Sequence, residues 1–206
     1  MLNFEKPVYK ITEYVESNNY GKFELEPLER GFGTTIGNAL RRIMLSSMPG
    51  SAIVAVKIDG VAHEFQTMEG VVEDVTTIIL NLKNVVVKNH TEEEKVLRLS
   101  VSGEKTVTAG DIQTSADVEI MNPDQVIATV SKGGKLDMEL IVANGRGYVP
   151  SNENKKYVEN TKLGYIPIDA LYSPIERVSY EVESARVGQD ANYDKLIMNV
   201  YTKGSI

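Results

Sequence analysis

The sequence contains no cysteine, no tryptophan and only two histidines. The lack of cysteine excludes disulfides, thiolate metal sites and thiol catalysis together, and suits a reducing compartment. His63 and His90 have no second imidazole at ligand spacing, and neither accompanies a nucleophile elbow, so a metal centre and a serine triad both lack parts. There is no Gly-Lys-Ser/Thr phosphate loop, no apolar signal core in Met1–Pro7, and no run of about 18 apolar residues. Positive charge is also scarce: 22 Lys and Arg stand against 29 Asp and Glu, a net charge of −7, with the basic residues scattered. Direct binding to phosphates needs the opposite balance. The expectation is a cytoplasmic chain without catalytic residues, metal or cofactor of its own, touching neither membrane nor nucleic acid directly.

What remains is ordinary for a globular chain. Its 206 residues, 42% hydrophobic and 25% charged, suffice for one large domain or two small ones. Alternation over Val8–Glu16 and Lys22–Glu26 about Asn18-Asn19-Tyr20-Gly21 predicts a hairpin. Ala52–Ile58 reads as a strand turning at Asp59-Gly60 and returning through Val61–Gln66. Val71, Val75, Ile78, Ile79 and Leu82 recur at helical spacing, predicting a helix over Met68–Lys83 with Glu69, Glu73 and Asp74 at its positive end. Short strands follow at Val85–Lys88, Val96–Val101, Thr106–Thr108, Val118–Met121, Gln125–Ser131 and Leu136–Val142, then a polar surface loop over Ser151–Asn160. Two long strands close the sequence, Ile175–Arg186 and Lys195–Thr202.

The most informative stretch is Leu28–Gly50. A glycine-bracketed turn leads into a helix with Thr34 or Thr35 as the expected cap and Pro49-Gly50 as the stop. With Ile36 as zero on a helical projection, Ala39, Leu40, Ile43, Met44 and Ser47 fall within roughly 80°, forming the core stripe. Asn38, Arg41, Arg42 and Leu45 fall on the opposite side, at roughly 140° to 240°. A lone outward leucine is common and needs no explanation; an apolar anchor flanked by arginines is also the composition of a protein-binding hot spot. Both readings stay open on these residues. Gly31, Gly33 and Gly37 invite comparison with a dinucleotide fingerprint, but the third glycine is one place late and Pro27 interrupts the preceding strand. A small-molecule or nucleotide-binding enzyme using the Gly31–Gly37 turn is the alternative reading.

Leu25–Gly33 running into Gly37–Arg42 and Ser46–Gly50 resembles the amino-terminal domain of the bacterial RNA polymerase alpha-subunit family. The likeness continues through Ile58–Val61, Glu69–Val71, Leu80–Lys83, Gly145–Pro150 and Tyr172–Val178, and is weakest over Asn89–Asp117. It implies an α+β fold with a dimerisation platform, an antiparallel sheet plus helix, from residues 1–48 and 177–206, and an inserted β-rich domain over 49–176. It implies a non-catalytic scaffold of DNA-directed RNA polymerase, a nucleotidyltransferase whose metal and active site lie on other subunits. The scaffold would form an alpha homodimer and bind the beta and then the beta-prime subunit. Positions matching the family's large-subunit contacts are Arg42 and Leu45, with Lys83 and Ile168; Asn38 and Arg41 share the Arg42 face. Ile36, Ala39, Leu40, Ile43 and Met44 would form the dimer and core face. The family continues beyond Ile206 into a further helix in the dimer interface and a separate DNA-reading domain, so DNA binding is not expected of these residues.

Overall fold

The computed structural model describes residues 6–158 and 164–206. It divides into two compact units, one of Met1–Met48 with Pro174–Gly204 and Ile206, the other of Pro49–Ser173 with Ser205. The fold is α+β with antiparallel sheets.

In the first unit, β1 (Val8–Val15) and β2 (Tyr20–Glu29) form the expected hairpin, followed by α1 (Phe32–Ser47). The remaining elements in chain order are β3 (Pro49–Ile58), α2 (Val75–Leu82), β4 (Val87–Asn89), β5 (Lys95–Ser102), β6 (Lys105–Thr108), β7 (Val118–Ile120) and β8 (Val126–Val130). After them come β9 (Lys135–Arg146), β10 (Tyr148–Val149), α3 (Ser151–Asn154), β11 (Ile166–Pro167), β12 (Ala170–Leu171), β13 (Ile175–Val187) and β14 (Asp190–Thr202).

The last two strands return to the first two, giving a four-stranded sheet in the order β1-β2-β14-β13. Leu28, Ile175, Val178, Leu196, Met198 and Val200 form its buried core, and Ile36, Leu40, Met44, Leu45 and Met48 pack on it from α1 and the residue after it. Between the pairs Asp194–Leu28 and Leu196–Leu25 the register shifts, with Glu26 and Pro27 of β2 opposite the single residue Lys195 of β14. Proline is tolerated at such a bulge because no ladder bond is asked of its missing N–H.

The second unit is built on a sheet in the order β11-β3-β9-β5. β3 is covered on both faces: Ile53, Val56 and Ile58 belong to one buried cluster, Ala52, Val54 and Ala55 to another. Double burial explains its near-continuous apolar sequence.

Three expectations fail here. Val61–Gln66 does not return as a strand; β3 pairs with β9 and β11 instead, and the Gln66 side chain satisfies the loop, accepting from the Ala62 amide and donating to the Gly60 carbonyl. The helix predicted over Met68–Lys83 is confined to Val75–Leu82, capped by Asp74, whose carboxylate accepts from the Thr77 amide at 2.8 Å. Upstream, Gly70 has φ +79°, Glu73 accepts from the Thr129 amide and hydroxyl, and the Val72 amide donates to the Thr129 carbonyl, so this segment bonds to β8 instead of forming a helical ladder. Ser151–Tyr157 is α3 plus a 3-10 turn rather than an open loop, and the Glu159–Asn160 end of that expected loop lies outside the described residues. Among the described residues no helix is long and apolar enough to cross a membrane.

Candidate protein-binding site

The first turn of α1 is capped from a distant strand. Gly31 sits at φ +89°, and the Asp194 carboxylate of β14 accepts hydrogen bonds from the Gly31 amide at 2.8 Å and the Gly33 amide at 3.2 Å through one oxygen. The expected caps Thr34 and Thr35 do not act: the Thr35 hydroxyl donates back to the Gly31 carbonyl at 3.3 Å. A carboxylate does the same work with a full charge at the positive end of the helix dipole. It also answers the nucleotide alternative. The two amides that would cradle a phosphate are already bonded to an anion.

The glycines serve packing. Gly33 and Gly37 are the buried residues of α1, and a Cβ on Gly37 would lie 2.6 Å from Tyr180 Cδ2 and 2.9 Å from Leu196 Cδ1. A Cβ on Gly33 would lie 2.7 Å from Val182 Cγ1. The helix backbone therefore rests on the sheet through its glycine stripe, and its inward direction is turned by roughly 80° from Ile36 toward these two residues.

That rotation corrects the predicted faces. Ile36, Leu40 and Met44 do pack on the sheet core, but Ala39 is exposed and Ile43 is 53% exposed. Leu45 is not an isolated outward leucine; it is half-buried against the same core. Arg41 leans inward, its Nε donating to the Val178 carbonyl at 3.1 Å. Asn38 and Arg42 remain exposed, and their side chains make no hydrogen bond or ion pair among the described residues.

A second apolar surface escaped the sequence reading. Phe32 is half exposed and lies with Ala39 and Ile43 on one flank of α1. On β1, Tyr9 and Ile11 are exposed, and their cross-strand partners Leu25 and Phe23 pack against the sheet core on the α1 side. Paired residues share a face, so the uncovered strip of β1 continues the face on which α1 lies. A groove of about 240 Å³ there is lined by Tyr14, Phe23, Met44, Met48, Val200 and Ile206 among others. Alternation in β1 was legible, but not that both its faces would stay bare.

In the second unit, Lys83 and Ile168 fare differently. Ile168 is 2% exposed within the main core, so its side chain is a packing residue and not a contact surface; its carbonyl accepts from Asn154 Nδ2. Lys83, just past α2, pairs with Asp169 at 2.7 Å, and Asp169 also accepts from the Ser151 amide at 2.8 Å. The Lys83 hydrogen bond, then the Ser151 amide, holds the Asp169 carboxyl below the usual carboxylate range. Spacing alone could not have flagged Asp169, which lies 86 residues from Lys83. Among the described residues no group of three or more His, Asp or Glu could hold a metal ion.

The β-rich second unit, with its central strand covered on both faces, is the part in which the family of the chain is recognised. Residues 56–173 match the family described as RNA polymerase Rpb3/RpoA insert domain, and the chain belongs to it. Over all 206 residues it is 57% identical to the DNA-directed RNA polymerase subunit alpha of Symbiobacterium thermophilum and, equally, to that of Desulforamulus reducens. The chain spans 65% of the length of each of these relatives.

Proposed function

We propose that this chain is a scaffold part of a bacterial DNA-directed RNA polymerase, working in the cytoplasm. It self-associates and nucleates assembly by binding the beta and then the beta-prime subunit. Nucleotidyl transfer belongs to the assembled complex, with this chain supplying neither catalytic residues nor cofactor and not contacting nucleic acid itself. The observation that carries the reading is the Arg42 guanidinium, a planar five-donor fork without a partner among the described residues, on the exposed side of a helix pinned to its sheet. Arg42 and Asn38 would take carboxylates or carbonyls of the large subunit, with the partly exposed Leu45 at the margin. The flank of Phe32, Ala39 and Ile43, with the β1 strip of Tyr9 and Ile11, supports self-association, since two patches on one face can be covered by a second copy in a two-fold arrangement. The family relationship and the alpha-subunit names of the relatives support the setting.

Co-purification tests it. Arg42→Ala should reduce capture of the beta subunit by tenfold to a hundredfold, roughly 1.4 to 2.7 kcal/mol, with circular dichroism and thermal stability near wild type. Undiminished co-purification would overturn the reading. Leu45→Glu is the poorer probe, because Leu45 also packs on this chain's own core.

A further inference from the structure

We infer that Asp194 and Arg41 are positioning residues for capture of the large subunit: together they fix the rotation of α1 on its sheet and thereby aim Arg42. The inference rests on the proposed role of Arg42.

Three observations carry it. First, the contact between α1 and the sheet is unusually smooth where it is closest. Gly33 and Gly37 bring the backbone down onto Val182, Tyr180 and Leu196 but present no side chain to lodge between neighbours. Interlocking side chains are what ordinarily set the angle of one element on another. Along its first two turns the glycine seam gives proximity without that lock, which leaves the angle of the helix to Ile36, Leu40 and Met44 and to polar contacts.

Second, polar pins stand on either side of the seam. At the amino end, one Asp194 oxygen holds the amides of Gly31 and Gly33. About two turns further on, Arg41 Nε holds the Val178 carbonyl of β13. The pins therefore reach the two neighbouring strands β14 and β13, one at the start of the helix and one beyond its middle. Neither a slide along the axis nor a turn about it preserves both.

Third, Asp194 is itself aimed. The β2–β14 register shift begins next to it, and the following residue, Lys195, is tied to Glu24 at 2.7 Å. Bulges re-aim side chains at functional positions. A turn of α1 by about 20° would move a group at roughly 6 Å from the axis by about 2 Å. That is enough to break a hydrogen bond made by Arg42, whose neighbour in sequence is one of the pins.

A double-mutant cycle in the full chain, with affinity for purified beta subunit measured by titration, tests this. Asp194→Ala should weaken capture about tenfold when Arg42 is present and less than about twofold in an Arg42→Ala background, because it acts through Arg42. Asp194→Asn, which keeps an acceptor oxygen, should restore most of the affinity. Hydrogen exchange at the Gly31 and Gly33 amides should quicken in Asp194→Ala alone. A general loss of stability would weaken capture equally in both backgrounds, and such additivity overturns the inference. Wild-type affinity of Asp194→Ala, with Arg42→Ala impaired, overturns it while leaving the functional reading standing. Wild-type affinity of Arg42→Ala overturns both. Should Asp194→Ala fail to fold, Arg41→Met replaces it in the same cycle, since the Arg41 pin lies outside the buried core; the same non-additivity is expected, and additivity overturns the inference.

Discussion

Lys83 Nζ lies 2.7 Å from Asp169 Oδ2, so the cation that resemblance assigns to partner contact is already half of an ion pair. Both side chains are about 30% exposed, which puts the pair between a free surface charge and a buried bridge. Any surface that approaches here meets a neutralised pair fixed to the amino end of α3, not a mobile point charge.

The pair predicts an acid-dependent stability. The Asp169 pKa is depressed in the folded state, so its contribution is complete above the unfolded value, about 3.9, and is lost as pH falls through the lower folded value. Lys83→Met should therefore lower the free energy of unfolding at pH 7 by no more than about 1 kcal/mol after solvent screening. The difference from wild type should shrink as the pH is lowered from 7 to about 2. Urea denaturation at the two pH values measures it, and a difference that persists in acid would mean that Lys83 stabilises by packing.

Gly37→Ala pits local preference against fit. Alanine favours a helix interior over glycine by about 1 kcal/mol. Its Cβ would meet the Tyr180 ring at 2.6 Å and Leu196 at 2.9 Å, and overpacking of this kind costs about 1–3 kcal/mol. A net loss of stability of up to about 2 kcal/mol is expected by chemical denaturation, with weaker capture of the beta subunit as α1 is lifted. A gain in stability would show that the sheet yields easily beneath the helix.

Ile43→Asp addresses self-association. Ile43 is 53% exposed, so the charge costs the isolated protomer little, within about 0.5 kcal/mol. It should weaken the dimer by tenfold or more in sedimentation equilibrium while the thermal transition of the diluted protomer is unchanged. Unaltered association would move the self-contact off this flank of α1.

What could be read in the sequence was what repeats locally. The β1–β2 hairpin, the helix α1 and the two closing strands follow from periodicity over a few residues and all form, though β2 runs on through Pro27 to Glu29 and β14 starts at Asp190, five residues before the expected Lys195. The phase of α1 was misread because hydrophobic projection weighs side chains, and the residues that decide its inward direction, Gly33 and Gly37, have none. The segment before α2 imitated a helix because Val71 and Val75 fall at helical spacing, yet Gly70 at positive φ and Glu73 bound to Thr129 commit it to a neighbouring strand. Ile168 was placed by resemblance alone, and burial of its side chain is a property of the whole second unit. Asp194 and Asp169 act across 163 and 86 residues, distances at which pattern carries no signal.

The pairing of β2 with β14 also sets a clock. At translation speeds of about 5–20 residues per second, roughly 8 to 30 seconds separate synthesis of Gly31 from synthesis of its Asp194 latch, 163 residues later. Throughout that interval the nascent chain holds α1 without the strand beneath it, while residues 49–173 can already close their own core. The helix face proposed to recruit the rest of the polymerase is thus withheld from incomplete chains. A chain that stops before residue 194 lacks the carboxylate that caps α1, so the order of the strands makes the proposed recruiting face one of the last features to be set.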